Sequence, residues 1–376
     1  MNRNIPFVAV ALVLWGFGEG MFFNFVPIYL DRQFLLNEAQ IGLVLGAFGF
    51  SMAITHIPAG RLADRIGRKP LLLIAWVLGL VSTLIMGIAL SLPLFLIGLF
   101  GYGLTAFVSS PLSSYMTAAR GNLPVGTILS LTTAAFATGM VLGPVSGGWI
   151  GDHYSMRMSF LVASIVFLLS NICMLFIESQ PLDHHDPASP PPHLHHNRQL
   201  VILFAVIGFS IFAMYLAQPL TPNFLTNVRG LSLSQTGVVL SAGALGNALM
   251  AIFLSRSEPR RGFLLAQLMV ILFALCIWKG SRLPVFALGY FLLGGFRASR
   301  PMVLAQARDL IHDSQMGFTY GIIETISSII LILTPILAGV LYGIDPIIVY
   351  PLAIILIVIS ILVSYQFAPR KVVSHA

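Results

Sequence analysis

Two acidic residues, Glu19 and Glu324, lie deep in apolar stretches, whereas most of the 13 Asp and Glu residues fall between such stretches. A charge inside a bilayer is costly, so a carboxyl retained there is a functional candidate by default. Glu19 lies about 21 Å along a helix that begins at Ile5, near the bilayer midplane. Desolvation favours the protonated form of such a carboxyl, which suits a proton carrier. We predict that Glu19 and Glu324 carry protons; for Glu19 the alternatives are a structural, hydrogen-bonded carboxyl and a member of an outer gate.

Two basic residues, Arg297 and Arg300, occupy a later apolar stretch and share one helix face, because they are three residues apart. They lie about 15 and 10 Å from the inner end of their predicted helix, and Glu324 lies about 12 Å from the inner end of the next. These depths allow an ion pair. One interpretation is a static buried bridge between neighbouring helices. In the other, Arg297 holds an anionic group while Glu324 takes up a proton.

Polar and aromatic residues on other apolar stretches complete a possible binding surface. Such a mixed lining suits amphiphilic organic molecules, although each of these residues taken singly is more often a packing residue. The substrate-binding candidates are Asn24, Tyr102, Tyr215, Gln218, Asn247 and Arg297.

The composition is that of a membrane protein. The 376 residues are 57% hydrophobic and 9% charged, with a mean hydropathy of +0.92. A soluble domain has about 25% charged residues, so a soluble enzyme, a nucleic-acid-binding domain and a disordered scaffold are excluded. A spanning helix needs about 20 mostly apolar residues, and the sequence predicts twelve. The predicted spans are 5–29, 41–58, 71–90, 94–117, 125–150, 158–177, 200–220, 236–254, 262–278, 285–307, 316–341 and 346–367.

The basic residues orient these spans. With both termini in the cytoplasm, fifteen of the 20 Lys and Arg residues fall on the cytoplasmic side. Positive charge favours that side of a membrane, so we predict a multi-pass integral membrane protein with both ends cytoplasmic. The compact chain, without large loops, is typical of a bacterial inner (plasma) membrane protein.

The chain divides at its middle. Residues 178–199 are polar and rich in Pro and His, which predicts a cytoplasmic linker between a bundle at 1–177 and a bundle at 200–376. The halves repeat: Pro144 and Gly148 recur 191 residues later, and Gly42 recurs 195 residues later. Two related six-helix bundles predict rocking about a site at the midplane. The linker histidines could bind zinc loosely, but a solvated spacer is the favoured interpretation and no metal site is predicted.

The loop between the second and third spans carries the most specific motif. Residues 60–69 read GRLADRIGRK; by themselves they predict a tight, basic cytoplasmic turn. They resemble the G-x-L-A-D-R-x-G-R-K loop of the major facilitator superfamily at every defining position. The resemblance implies the twelve-helix, two-bundle fold of that family, and a monomer. It also implies that Gly60 packs on the other bundle and that the loop latches the bundles together. The latch residues are Gly60, Asp64, Arg65, Gly67 and Arg68.

The fifth span carries a run of small residues. They predict a flat face for close helix packing, with a bend at the proline. The run also resembles a motif of the drug-export branch of the superfamily, although Ser130 stands where the longer form has glycine. The helix-packing motif comprises Gly139, Gly143, Pro144, Gly147 and Gly148.

These features together predict a secondary transporter that works by alternating access, and most simply proton-coupled export of amphiphilic compounds. The sequence contains no nucleotide-binding loop, nucleophile–base pair or metal constellation, so neither an enzyme nor a cofactor is predicted. The expected partners are a small-molecule substrate, protons and the lipid bilayer, without nucleic acid. Two alternatives stay open: a proton-linked importer of a small polar or anionic solute, and a non-transporting membrane sensor of the same fold.

Overall fold

The computed structural model describes residues 4–179, 198–308 and 316–367, and it is helical without a strand in those ranges. Twelve main helices follow one another along the chain, which confirms the predicted twelve-helix fold. The helices are α1 (Asn4–Phe34), α2 (Glu38–Ile66), α3 (Arg68–Ile88), α4 (Leu92–Ala119), α5 (Val125–His153), α6 (Met156–Leu175), α7 (Arg198–Tyr215), α8 (Leu233–Ser255), α9 (Pro259–Lys279), α10 (Leu283–Arg308), α11 (Met316–Ile344) and α12 (Val349–Phe367).

Most of these helices have the length and the apolar composition that a membrane span requires. Ten of the described helices are long and apolar enough to cross a membrane. The apolar part of α7, Leu200–Tyr215, is shorter, and α10 carries three arginines. Large apolar side chains are exposed along the helices, for example Leu142 and Ile355, each at 57%. Apolar surface on this scale is unfavourable in water and matches the hydrocarbon core of a membrane.

Proline explains the interruptions within α1 and α4. A 3₁₀ turn at Phe23–Phe25 divides α1, and another at Thr105–Val108 divides α4. Pro27 and Pro111 lie four residues beyond Phe23 and Phe107, so these two carbonyls lose their helical donors. The helix relaxes at each point and then continues.

The seventh predicted span ends earlier than its apolar run does. We predicted a span over 200–220, whereas α7 ends at Tyr215. Pro219 lies four residues beyond Tyr215 and cannot donate to its carbonyl, which stops the helix there. A short helical segment, Thr221–Asn223, and a π-helical turn, Phe224–Val228, follow before α8.

Two compact units make up the described chain. The first unit comprises Met1–Asn37, Ala47–His185 and Pro222–Ala244; the second comprises Glu38–Gly46, Asp186–Thr221 and Leu245–Ala376. Each unit therefore contains the first residues of one helix whose remainder belongs to the other unit. The start of α2 packs in the second unit and the start of α8 packs in the first.

Glycine brings α1 against α5 within the first unit. A side chain at Gly139 would collide with the Val13 carbonyl, and one at Gly147 would collide with the Met21 carbonyl. A Cβ at Gly143 would lie 2.7 Å from the Cα of Gly20, closer than real Cβ contacts allow. The small residues at these positions thus allow the backbones of α1 and α5 to approach each other closely.

A buried hydroxyl and amide network ties three helices of the second unit. The Ser360 hydroxyl on α12 lies 2.7 Å from the side-chain oxygen of Gln267 on α9 and 2.6 Å from the Ser210 hydroxyl on α7. Gln267 in turn donates to Ser364 at 3.3 Å. Buried polar groups are costly unless they are hydrogen-bonded, so this network fixes the mutual registry of α7, α9 and α12.

Candidate functional site

Glu19 on α1 is held by two donors from the first unit. The hydroxyl of Tyr102 on α4 donates to Oε2 of Glu19 at 2.7 Å. The indole nitrogen of Trp15 donates to the same oxygen at 3.2 Å. The carboxyl is half-buried, while Trp15 and Tyr102 are buried. The structure thus brings together the predicted proton-carrying residue Glu19 and the predicted substrate-binding residue Tyr102.

Aromatic rings pack on the two hydrogen-bond donors of Glu19. Phe167 on α6 stacks on Trp15 with ring centroids 4.6 Å apart, and it lies parallel to Tyr102 at 6.1 Å. Trp76 on α3 lies 4.8 Å from Trp15. A half-buried carboxylate depends on its hydrogen-bond donors, because it has lost part of its contact with water. The arrangement makes the Tyr102 and Trp15 hydrogen bonds sensitive to the charge of Glu19.

Sequence reasoning missed the aromatic partners of Glu19. The available signal was the spacing of Trp15 and Glu19, which puts them on one helix face four residues apart. The glycines between and beside them bring α1 close to its neighbours. A Cβ at Gly18 would lie 2.7 Å from the Phe167 ring, and one at Gly20 would lie 2.9 Å from Cδ of Pro144. Glycine at these positions therefore fixes the place of Glu19 in the unit.

Glu324 on α11 pairs with Arg300 on α10 in the second unit. Nη2 of Arg300 lies 2.7 Å from Oε1 of Glu324, and Nε donates to the same oxygen at 2.9 Å. The two side chains are 66% and 42% exposed. The ion pair expected from sequence depth is present, but it is accessible rather than buried.

Three further substrate-binding candidates belong to the second unit, namely Arg297, Tyr215 and Gln218. Arg297 is exposed on α10 and lies within electrostatic reach of Tyr215. The ring of Tyr215 stacks on Phe296 with centroids 5.7 Å apart. The side-chain amide of Gln218 donates to the Met214 carbonyl at 2.8 Å, beyond the end of α7. Gln218 therefore serves the backbone at the helix break.

Two asparagine candidates lie in different units. Asn24 lies within the 3₁₀ turn of α1 in the first unit, and Asn247 lies on α8 in the second. Both side chains are half-buried. They stay predicted substrate contacts.

The predicted latch is described only in part. Gly67 joins α2 to α3 with φ of 86°, a conformation that favours glycine. Arg68 is the first residue of α3 and is half-buried. The side-chain environments of Gly60, Asp64 and Arg65 lie outside the described part of the structure, so their role as a latch stays a prediction.

The repeated Gly and Pro residues form two similar helix junctions. In the first unit, a side chain at Gly237 of α8 would collide with the Pro144 carbonyl of α5. In the second unit, a side chain at Gly42 of α2 would collide with the Pro335 carbonyl of α11. We name these contacts the α5–α8 junction and the α2–α11 junction. Both lie at helix ends that the charge distribution predicts to face outside.

Asp152 adds a polar contact to the α5–α8 junction. Its Oδ1 accepts the backbone N–H of Leu233 at 2.9 Å, and its Oδ2 accepts that of Ser234 at 2.8 Å. A carboxylate at a helix N-terminus satisfies unpaired donors and complements the helix dipole. Sequence reasoning passed over Asp152 because it stands just beyond the predicted fifth span, where acids are usually solvated.

Metal ligation finds no support in the described ranges. No group of three or more His, Cys, Asp and Glu side chains there could hold a metal ion. The linker histidines at 184–196 lie outside the described residues.

The family follows from comparison with known proteins. Residues 8–257 and 203–375 match the family model of the Major Facilitator Superfamily. The chain belongs to this superfamily. The predicted fold is thereby confirmed, and this superfamily member is a multi-pass membrane transporter rather than an enzyme.

Relatives of known sequence agree with the resemblance to the drug-antiporter-like branch. Multidrug resistance protein 2 of Bacillus subtilis (strain 168) is 22% identical over 347 residues, covering 87% of this chain and 86% of that protein. Multidrug resistance protein 1 of the same organism is 22% identical over 359 residues, covering 92% and 91%.

Solved structures share the fold. The nucleoside transporter NupG matches with a TM-score of 0.78 and 12% identity. The match covers 97% of the present chain and 98% of NupG. The human organic anion transporter MFSD10 (TETRAN) matches with a TM-score of 0.70 and 17% identity, covering 96% and 99%. At these identities the likeness concerns the fold alone.

Proposed function

We propose that the protein is a secondary transporter that exports amphiphilic small molecules in exchange for protons. The observation that carries the proposal is the Glu19 carboxyl, hydrogen-bonded to Tyr102 and Trp15, two aromatic donors that themselves pack against Phe167. The Bacillus relatives are multidrug resistance proteins, which supports export of drug-like compounds. The protein acts as a monomer in a bacterial inner membrane, with both termini in the cytoplasm.

Glu19 couples proton and substrate because both compete for one carboxyl. When ionised, it accepts the Tyr102 and Trp15 hydrogen bonds and attracts a lipophilic cation, to which aromatic faces add cation–π attraction. When protonated, it loses that charge, and a hydrogen bond to a neutral acid is weaker than one to a carboxylate. Proton binding therefore lowers the affinity for a cationic compound and releases it. A neutral amphiphile is held by the rings alone.

Alternating access uses the two junctions. They join residues of the halves 1–177 and 200–376, which move as bundles about the linker 178–199. When the outer ends separate, Gly237 leaves Pro144 and Gly42 leaves Pro335. The close contacts at these ends support a state in which the outer side is closed. The loop at residues 60–69 steadies the opposite state.

Import of a small organic anion is the second candidate function. It is favoured by the exposed guanidinium of Arg297 beside Tyr215, and by the exposed Arg300–Glu324 pair. In this mechanism Arg297 binds the anionic group, while protonation of Glu324 releases Arg300. The substrate enters together with a proton.

Proteoliposomes with an entrapped pH dye distinguish these functions. Wild type, Glu19→Gln and Arg297→Gln are compared with Glu258→Gln, which removes an exposed carboxyl partner of Arg261. Lipophilic cations are expected to drive proton movement in wild type and in Glu258→Gln, and to fail in Glu19→Gln. Proton movement unchanged in Glu19→Gln would contradict the proposed coupling site. A response only to organic anions, lost in Arg297→Gln, would establish the second function.

A further inference from the structure

One phenylalanine of α6, Phe167, packs against both hydrogen-bond donors of Glu19. Its ring centroid lies 4.6 Å from that of Trp15, with an interplanar angle of 23°, and 6.1 Å from that of Tyr102, with an angle of 2°. Phe167 is fully buried, and both donors are buried beside it. A Cβ at Gly18 would lie 2.7 Å from the same ring, so Phe167 also packs on the residue that precedes Glu19.

The helix α6 holds this ring in register with α1 and α3. Asn171 lies one turn beyond Phe167, and its side-chain amide donates to the Trp76 carbonyl of α3 at 3.0 Å. Ser170 accepts the Trp76 indole N–H at 2.8 Å and donates to the Ala11 carbonyl of α1 at 2.7 Å. Buried polar groups are costly unless they are hydrogen-bonded, so these bonds oppose sliding of α6 along the other two helices. They therefore fix the place of the Phe167 ring.

Both donors reach one oxygen atom, Oε2 of Glu19, from different helices. The hydroxyl of Tyr102 on α4 lies 2.7 Å from it, and the indole nitrogen of Trp15 on α1 lies 3.2 Å from it. Hydrogen bonds weaken steeply when they lengthen or bend, so two donors can converge on one atom only if both rings are held in place. The side chain of Phe167 has no polar atom, and it contributes to this geometry by packing.

Tyr102 is the titratable residue that bonds to Glu19 from a neighbouring helix. The other titratable and charged residues described on α1 and on the helices around it lie near helix ends, whereas Glu19 lies near the middle of α1. They are Tyr29, Asp31 and Arg32 on α1, Glu38 on α2, Arg68 and Lys69 on α3, Tyr115 on α4, Asp152 and His153 on α5, and Arg157 and Cys173 on α6. Displacement of the two donors would therefore act directly on the charged form of Glu19.

We propose that Phe167 is a positioning residue for Glu19, which holds Trp15 and Tyr102 where both donate to the carboxyl. This role deepens the proposed proton exchange and rests on it. Hydrogen bonds to the ionised form of an acid favour that form, so a loosened pair of donors favours the protonated form. The pH profile of the exchange is then set in part by a side chain that carries no proton itself.

Infrared difference spectra of the full-length protein in lipid bilayers test the role of Phe167. Bands that are lost in Glu19→Gln belong to the Glu19 carboxyl, ionised or protonated, and their positions depend on its hydrogen bonds. Phe167→Leu removes the ring, and Phe167→Met replaces it with a flexible chain that fills gaps. Phe160→Leu is the matched control, because Phe160 is buried on the same helix and packs on Tyr29 and Phe95 instead of the two donors.

Phe167→Leu and Phe167→Met are expected to shift and broaden the Glu19 bands, and Tyr102→Phe should shift them further. Phe160→Leu should lower the unfolding temperature about as much as Phe167→Leu does and leave the bands unchanged. In proteoliposomes, Phe167→Leu should move the pH profile of cation-driven proton movement upward by about half a pH unit, equivalent to about a threefold change in proton binding. The same substitution should have a smaller effect in Tyr102→Phe, where one donor is already absent.

Unchanged Glu19 bands in both Phe167 variants would overturn the proposal, as would an equal change of the bands in Phe160→Leu. Altered bands without any proton-coupled flux would support the positioning of the donors and contradict the proposed function instead. Proton coupling that is lost in Glu19→Gln, but keeps one pH profile in wild type and both Phe167 variants, would contradict the positioning role and support the proposed function.

Discussion

The α5–α8 and α2–α11 junctions share their backbone contacts but differ in their acids. In each, a glycine faces a proline carbonyl, Gly237 with Pro144 and Gly42 with Pro335. Asp152 at the end of α5 caps α8, yet the position 191 residues later is Gly343. The nearby acid of the second junction, Glu38, instead belongs to the first turn of α2 itself. The two junctions therefore share a steric contact and differ in their polar contacts.

Because of this difference, the two junctions should depend on different interactions to stay closed. Hydrogen bonds to a charged group contribute about 1.5–3 kcal/mol each, so the α5–α8 junction has a directional, charge-dependent component. The α2–α11 junction depends chiefly on close packing. We therefore expect the α5–α8 junction to respond more strongly to loss of charge, and both to respond equally to added volume.

Added volume should have the largest effect. Gly237→Ala and Gly42→Ala each place a methyl group onto a proline carbonyl, and overpacking of this kind typically costs 1–3 kcal/mol. Both variants should lose most substrate-driven flux in proteoliposomes. Gly126→Ala is the matched control, because a Cβ there meets nothing within 4 Å. Full flux in either junction variant would show that the close contact is dispensable.

Loss of the Asp152 charge should affect one junction alone. In Asp152→Asn, the helix cap loses its charge, and one acceptor oxygen is replaced by an amide NH2 group that can only donate. Hydrogen–deuterium exchange at the Leu233 and Ser234 amides should accelerate about tenfold, equivalent to about 1.4 kcal/mol. Exchange at residues 38–46 should stay unchanged, and Glu38→Gln should have a smaller effect than Asp152→Asn. Similar acceleration at both helix starts would remove the distinction between the junctions.

An acid added to the second junction should weaken it slightly. A Cβ at Gly343 would lie 3.9 Å from Oε2 of Glu38, so Gly343→Asp sets two carboxylates side by side. Repulsion between unit charges at 4 Å in water is about 1 kcal/mol, which predicts about fivefold faster exchange at residues 38–46. Adding Glu38→Gln in the same chain should restore the wild-type rate. Failure of this rescue would place the effect of Gly343→Asp in sterics.

The sequence was sufficient for the helices but not for their partners. Apolar length predicts the twelve spans because each must cross the same bilayer, and constant offsets of Gly and Pro predict the repeat. The premature end of α7 was missed because Pro219 lies in an apolar run and leaves the hydropathy high. Glu19 was found through its depth alone. Its partner Tyr102 comes from another helix, and no spacing along the chain relates the two.

Polar contacts at helix ends were the other omission. From its position in the sequence, Asp152 is expected to be a solvated acid in a loop. Only the folded chain places the N-terminus of α8 against it. The exposed state of the Arg300–Glu324 pair was also beyond sequence reasoning. Depth along a helix is set by residue number, but exposure depends on which face the neighbouring helices cover.

The indole of Trp15 gives this transporter an optical signal of its own. Indole emission depends on the charge beside the ring, and the Trp15 nitrogen lies 3.2 Å from Oε2 of Glu19. The other three tryptophans are Trp76, Trp149 and Trp278. Replacing Trp149 and Trp278 with phenylalanine leaves only the Trp15–Trp76 pair, whose rings are 4.8 Å apart. The fluorescence of such a protein then tests, without any attached dye, whether the Glu19 carboxyl gains and loses a proton as proposed.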